Sequence, residues 1–180
     1  GSEEAFADEM TERARDLGLT GSNFANSTGL PDPNHYMTAE DLALLARLIV
    51  TDFPEYYSLY KETEFTYNEI KQFNRNPLLY RPGGSDGLKT GYTDAAGYGL
   101  AASAVRDGRR LILVANGVAS TQARSEETAK LMDWGFRNFT NKDLFRAGEM
   151  VSDAEVWLGL EATIPLIIEQ DITVTIPRQA

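Results

Sequence analysis

Asp107-Gly108 sits between two apolar runs, Tyr98 to Arg106 and Arg109 to Gly117. An Asp-Gly pair supplies the positive-φ positions of a tight type I′ turn, so the segment predicts an antiparallel hairpin. Just before it, Asp86-Gly87-Leu88-Lys89-Thr90-Gly91-Tyr92-Thr93 reads as another strand. Asp94-Ala95-Ala96-Gly97 is the turn that joins that strand to the hairpin. The core is therefore expected to be an antiparallel β-sheet centred on residues 86–117 and flanked by helices, an α+β fold.

Helical patterns surround this sheet. Ser2 followed by Glu3 and Glu4 reads as a helix cap with acids at the positive helix end. Phe6, Met10, Ala14 and Leu17 then recur at helical spacing and predict the apolar face of a helix over 2–17. The stretch from Thr20 to Tyr36 is rich in Gly, Pro, Asn, Asp and Ser, which predicts an ordered loop. Thr38 opens a second helix with a buried stripe at Leu42, Leu45, Ala46 and Ile49, and Pro54 starts a third over 54–60. Residues 64–67 and 70–73 alternate as short strands around Asn68-Glu69, and 121–139 forms a long helix. Beyond a boundary near 140–142 the pattern turns to strands, at 149–159, 163–168 and 171–176. This divides the chain into a main domain over 1–141 and the beginning of a β-rich domain over 142–180, near the lower size limit for independent folding.

Composition narrows the chemistry. A formal net charge of -10 excludes a nucleic-acid surface or a polybasic membrane anchor. There is no cysteine and one histidine, His35, which excludes thiolate and multi-histidine metal centres and a cysteine nucleophile. No cofactor is implied. No apolar run reaches membrane-spanning length, and no signal peptide opens the chain, so it reads as a mature or excised segment.

Lys89-Thr90-Gly91 places a cation and a hydroxyl on a glycine-rich strand, where a peptide-like ligand can lie alongside the backbone. Asp86, three residues before the lysine, is expected to fix the local turn. Ser58-Leu59-Tyr60-Lys61 has the spacing of a serine–lysine pair, but reads as a solvated helix end. His35 with Asp32 and Asn34 reads as a loop histidine. Tyr56, Tyr57, Tyr60, Phe65 and Tyr67 read as packing residues before a ligand wall.

The run from Asp86 to Gly97 resembles the third motif of the D-alanyl-D-alanine carboxypeptidases, the low-molecular-mass penicillin-binding proteins. Asn26-Ser27-Thr28-Gly29-Leu30, Thr38-Ala39-Glu40-Asp41-Leu42-Ala43, Asn74-Arg75-Asn76 with Leu78-Leu79, and Trp134-Gly135-Phe136 are similar to that family as well. The resemblance implies the penicillin-binding/β-lactamase-like transpeptidase fold, incomplete here. It implies a serine acyl-enzyme peptidase that removes the terminal D-alanine from peptidoglycan stem peptides and is acylated by β-lactams. Lys89, Thr90, Gly91 and Thr93 would bind the substrate, and Arg124 would assist with its carboxylate. Read without the family, Arg124 is a solvated helix residue paired with Glu126 or Glu127.

The family's nucleophile, a Ser-x-x-Lys serine, is expected upstream of Gly1, as is its Ser-x-Asn element. The protein is expected in the periplasm or another extracytoplasmic space, at the inner membrane. Self-association, or association with an N-terminal part, is expected of such a segment. A non-catalytic binding module and a β-lactamase are the competing readings.

Overall fold

The structure is a computed structural model that describes residues 1–178. The chain divides into two compact units, residues 1–133 and 134–180. The expected boundary at 141/142 falls inside a strand that runs from Phe139 to Phe145.

In the first unit, helix α1 spans Glu3–Asp16, and the Ser2 side chain accepts a hydrogen bond from the Ala5 N–H as its cap. The inward face differs from the expected one. Ala7, Thr11 and Ala14 are buried, while Phe6 is half exposed. The reason is a polar anchor: the Thr11 hydroxyl oxygen accepts from Phe24 N–H (2.9 Å), which turns that side of the helix toward the following loop. Phe6, Met10 and Leu17 instead line an open apolar groove with Leu19, Phe24 and Leu45.

The loop is ordered by its own side chains. Asn26 Oδ1 accepts from Gly29 N–H (2.8 Å), and Asn34 N–H donates to Asp32 Oδ1 (2.7 Å). Both are Asx-type turns, in which a short polar side chain stands in for a backbone partner. Helix α2, Ala39–Asp52, is capped by Thr38. Its buried Asp41 accepts from Gly21 N–H (2.9 Å) and Ser22 Oγ–H (2.6 Å), fastening loop to helix. The expected third helix is shorter: α3 is Pro54–Tyr57, followed by a 3₁₀ turn over Ser58–Lys61.

Strands β1 (Glu64–Tyr67) and β2 (Ile70–Phe73) form a two-stranded hairpin. Strands β3 (Ser85–Thr93), β4 (Gly97–Arg106) and β5 (Arg109–Val118) form the main antiparallel sheet, in the order β3-β4-β5. Six consecutive β4 residues, Gly99 to Ala104, are buried, as the central strand of a two-sided layer requires. Helix α2 lies against β5, and the 3₁₀ turn after α3 lies against β3. Ala46, Tyr57 and Leu88 form a core cluster there, with Ile49 and Ile112 packed on it. Helix α4, Thr121–Asn138, follows the sheet, and Ser120 Oγ accepts from Ala123 N–H at its start.

In the second unit, β6 (Phe139–Phe145) pairs with β9 (Ile172–Pro177), and β7 (Met150–Glu155) pairs with β8 (Thr163–Ile167). Strand β7 is shorter than expected: Leu158 has a positive φ of 59°, and Val156 N–H donates to Ala162 C=O, so the chain is already turning there.

Candidate active site

The Lys89-Thr90-Gly91 stretch lies on β3, an edge strand of the main sheet within the described residues. In the register, Lys89 pairs with Ala101, Thr90 with Leu100, Gly91 with Gly99 and Thr93 with Gly97. Side chains alternate along a strand, so Lys89, Gly91 and Thr93 share one face and Thr90 and Tyr92 the other. The exposed Lys89 ammonium donates to its neighbour's carbonyl, Thr90 C=O, at 2.5 Å. The half-buried Thr90 hydroxyl makes no hydrogen bond among the described residues. The Thr93 hydroxyl oxygen accepts from Ala96 N–H (3.0 Å), closing the β3–β4 turn.

Gly91 carries a finding of its own. Its φ lies outside the left-handed region, and a Cβ added there would meet nothing within 4 Å. No neighbour in the chain demands glycine. What the missing side chain leaves is clear space above the strand, where a ligand backbone can approach closely.

Arg124 reaches this point from α4. It is 7% exposed, and its Nη1 donates to Gly91 C=O (3.5 Å) and Gly99 C=O (3.4 Å). The Tyr98 ring lies 5.6 Å from its guanidinium carbon. Its buried Nε has no hydrogen-bond partner among the described residues. Glu126 and Glu127 are engaged elsewhere, the first by Gln122 and the second by Lys130. The reading of Arg124 as a solvated residue paired with those acids is therefore overturned. A buried guanidinium with one unpartnered nitrogen and two long carbonyl contacts is under-satisfied.

The other candidates separate. Ser58 and Lys61 are both exposed on the 3₁₀ turn. His35 Nδ1 accepts from Ala25 N–H (3.3 Å) and its ring meets Phe24 edge-on, so it braces the loop. Among the aromatics, Tyr57 is buried, whereas Tyr56, Phe65 and Tyr67 are exposed.

Asp86 does not fix a turn. It lies inside β3 and makes a bidentate ion pair with Arg110, Oδ1 to Nη1 at 2.9 Å and Oδ2 to Nη2 at 2.8 Å. Tyr57 O–H donates to the same carboxylate at 2.9 Å. Burial, with Asp86 adding to it, pushes the Tyr57 phenol up to about 12, while Asp86 raises the Arg110 guanidinium above its usual value. Asn76, 1% exposed, donates from Nδ2 to Gly87 C=O (2.8 Å) and accepts from Leu78 N–H (3.0 Å). The polar Asn74-Arg75-Asn76 stretch gave no sign of this buried role.

No helix of the described residues is long and apolar enough to cross a membrane, and no cluster of acids and histidine among them is suited to a metal.

The chain as a whole is similar to known proteins. The family model described as D-alanyl-D-alanine carboxypeptidase matches residues 1–120, and that of the penicillin-binding protein 5 C-terminal domain matches residues 139–180. The D-alanyl-D-alanine carboxypeptidase DacA of Haemophilus influenzae is 41% identical over 96% of the chain, and that of Escherichia coli 40% identical over 99%. The chain spans 44% of the length of either relative. The crystal structure of penicillin-binding protein 5 from Haemophilus influenzae superposes with a TM-score of 0.90 at 40% identity, over 97% of this chain and 52% of that one. Penicillin-binding protein 6B from Escherichia coli gives a TM-score of 0.81 at 37% identity, over 99% of this chain and 51% of that one. The chain belongs to the D-alanyl-D-alanine carboxypeptidase family of penicillin-binding proteins.

Proposed function

We propose that the protein containing this chain is a serine-type D-Ala-D-Ala carboxypeptidase acting on peptidoglycan stem peptides, and that these residues form its substrate-holding wall. The observation that carries the reading is Arg124: a buried, under-satisfied guanidinium beside the bare Gly91 position of an edge strand. A peptide laid along β3 gains main-chain hydrogen bonds from the strand edge. Its terminal carboxylate meets Arg124, Lys89 and the Thr90 hydroxyl, with Thr93 at the end of the strand. A forked guanidinium reads a carboxylate bidentately, which selects a chain end over a mid-chain amide.

The nucleophile is proposed to come from outside these 180 residues, since Ser58 and Lys61, which have the spacing of such a pair, are both exposed. Its serine oxygen attacks the carbonyl of the D-Ala-D-Ala bond, the terminal D-alanine leaves with a proton on its amine, and water hydrolyses the resulting ester. A β-lactam acylates the same serine. Penicillin-binding protein D2 from Listeria monocytogenes, 33% identical over 73% of this chain, has been crystallised in cefotaxime-bound and ampicillin-bound forms, which supports this part. A peptidoglycan substrate would call for the periplasmic or extracytoplasmic side of the inner membrane, and fractionation of cells making the full-length protein checks that.

D-alanine release from a peptide ending in D-Ala-D-Ala, together with stoichiometric labelling by fluorescent penicillin, is expected of the full-length protein. Reversible peptide binding with neither labelling nor release would favour a non-catalytic binding module, and rapid β-lactam hydrolysis would favour a β-lactamase.

A further inference from the structure

We propose that Asp86 and Arg110, with Tyr57, form a positioning device that sets where the Lys89–Gly91 stretch lies for its ligand; this rests on the function proposed above. The register supplies the first observation. Ser85 pairs with Ala104 and Gly87 with Ser103, so Asp86 is an extra residue without a partner on β4, a β-bulge. Bulges bend a strand and re-aim the side chains that follow, which makes their own geometry worth holding.

The second observation is what holds it. Arg110 belongs to β5, so the ion pair spans the central strand and ties the bulged edge to the opposite side of the sheet. On the way, Arg110 Nη1 also donates to Ser103 Oγ of β4. From outside the sheet, Tyr57 of α3 donates to Asp86, and its ring lies 5.1 Å from the Arg110 guanidinium carbon. Two elements, β5 and α3, therefore bond to one carboxylate of β3, while β4 braces Arg110. The next residue, Gly87, is pinned separately by Asn76. Lys89 follows only two residues later and is exposed, its ammonium reaching no further than Thr90 C=O.

The third observation is chemical. The Asp86 and Arg110 side chains are 24% and 30% exposed, so both are partly desolvated. Partly buried charges add little net stability compared with apolar residues of similar size, and what a forked, fully bonded pair supplies is a single geometry. That geometry lies at the start of the substrate strand, where a displacement of about 1 Å can cost on the order of a hundredfold in rate.

The test uses the full-length protein and its Asp86→Asn, Arg110→Lys and Tyr57→Phe variants. Saturating fluorescent penicillin counts the active molecules, and the second-order acylation rate and the kcat and KM for a D-Ala-D-Ala peptide are measured per active molecule. Asp86→Asn is expected to keep stoichiometric labelling but to acylate about 10- to 100-fold more slowly, with KM raised more than kcat is lowered. Arg110→Lys keeps the charge, loses the fork and should not rescue the rate. Tyr57→Phe should slow acylation a few-fold. Variants that melt at lower temperature yet acylate at the wild-type rate would overturn the proposal by showing a merely structural role. If Asp86→Asn does not fold, Tyr57→Phe, which leaves both charges in place, decides: a wild-type rate sinks the proposal. A wild-type protein that is never acylated removes the proposed function, and this pair's role with it.

Discussion

Tyr98 of β4 stands between Tyr92 and Arg124: its ring centroid is 4.4 Å from that of Tyr92 and 5.6 Å from the Arg124 guanidinium carbon. The guanidinium rests against an aromatic face, beside the carbonyls of the paired glycines Gly91 and Gly99. Cation–π contact of this kind holds a charge without neutralising it. On the proposed function, this is the charge that a carboxylate arriving along β3 would meet.

Arg124→Ala in the full-length protein is therefore expected to lower kcat/KM for a D-Ala-D-Ala peptide by roughly 10- to 100-fold, the loss of one charge-assisted hydrogen-bonding group worth about 1.5–3 kcal/mol. Arg124→Lys should recover little, because an ammonium has no planar fork to rest on Tyr98 and reach two oxygens. A peptide amidated at its C-terminus should be turned over equally by wild type and Arg124→Ala. A large difference between the two enzymes on that substrate would show that Arg124 does not read the carboxylate.

Asn76 offers a stability prediction. It is 1% exposed, and its amide joins Gly87 C=O of β3 to Leu78 N–H of the 3₁₀ turn Pro77–Tyr80. Asn76→Ala leaves both groups buried without a partner, at an expected cost of about 2–4 kcal/mol. Asn76→Asp should be at least as harmful, because a carboxylate cannot donate to Gly87 C=O. Denaturant unfolding of the 180-residue chain measures this, and a change under about 0.5 kcal/mol would contradict it.

The hairpin turn invites a stabilising change. Asn68 and Glu69 have φ of 47° and 63°, the left-handed pair of a type I′ turn. Asparagine tolerates that region, whereas glutamate lacks the short polar side chain that helps asparagine there. Glu69→Gly should stabilise the hairpin by about 0.5–1 kcal/mol after the added freedom of the unfolded glycine is counted. Slower amide exchange in β1 and β2 would register it.

Much of this was legible beforehand, for physical reasons that differ by element. The β4–β5 hairpin announced itself because Asp107-Gly108 is a local conformational demand: both residues have positive φ. Lys89-Thr90-Gly91 was legible because its context narrows three common residues to one arrangement. Strand β6 was missed because Phe139–Phe145 starts where α4 ends, and its polar Thr140-Asn141-Lys142 stretch read as a boundary. Asp86 was misread because its partner lies 24 residues away and only the β4 pairing brings it near. At Gly84, just before β3 and with φ of 73°, a Cβ would collide with Val105 C=O, a demand of packing that no local pattern announced.

Tyr57 gives a pH prediction. Burial, then Asp86, raises its phenol from 10.0 to about 12. A group whose folded-state value is raised contributes stability that is complete below the unfolded value and is lost as pH rises through the folded one. The first unit should therefore lose stability progressively between about pH 10 and 12, and Tyr57→Phe should flatten that part of the profile. Tyrosinate absorbance should show Tyr57 ionising late. An unchanged alkaline profile in Tyr57→Phe would mean that the phenol is not held as described.

Ser58 and Lys61 have the spacing of a nucleophile and its base, and the structure allows their role to be tested directly. Both side chains are exposed on a 3₁₀ turn rather than gathered on the Lys89 strand. A serine nucleophile needs its base within hydrogen-bond reach and the pair enclosed with the substrate. The 180-residue chain is therefore expected to show no covalent labelling by fluorescent penicillin, and Ser58→Ala in the full-length protein should acylate at the wild-type rate. Stoichiometric labelling of the 180-residue chain, abolished by Ser58→Ala, would relocate the nucleophile to this turn and overturn the assignment of the chemistry to a serine outside these residues.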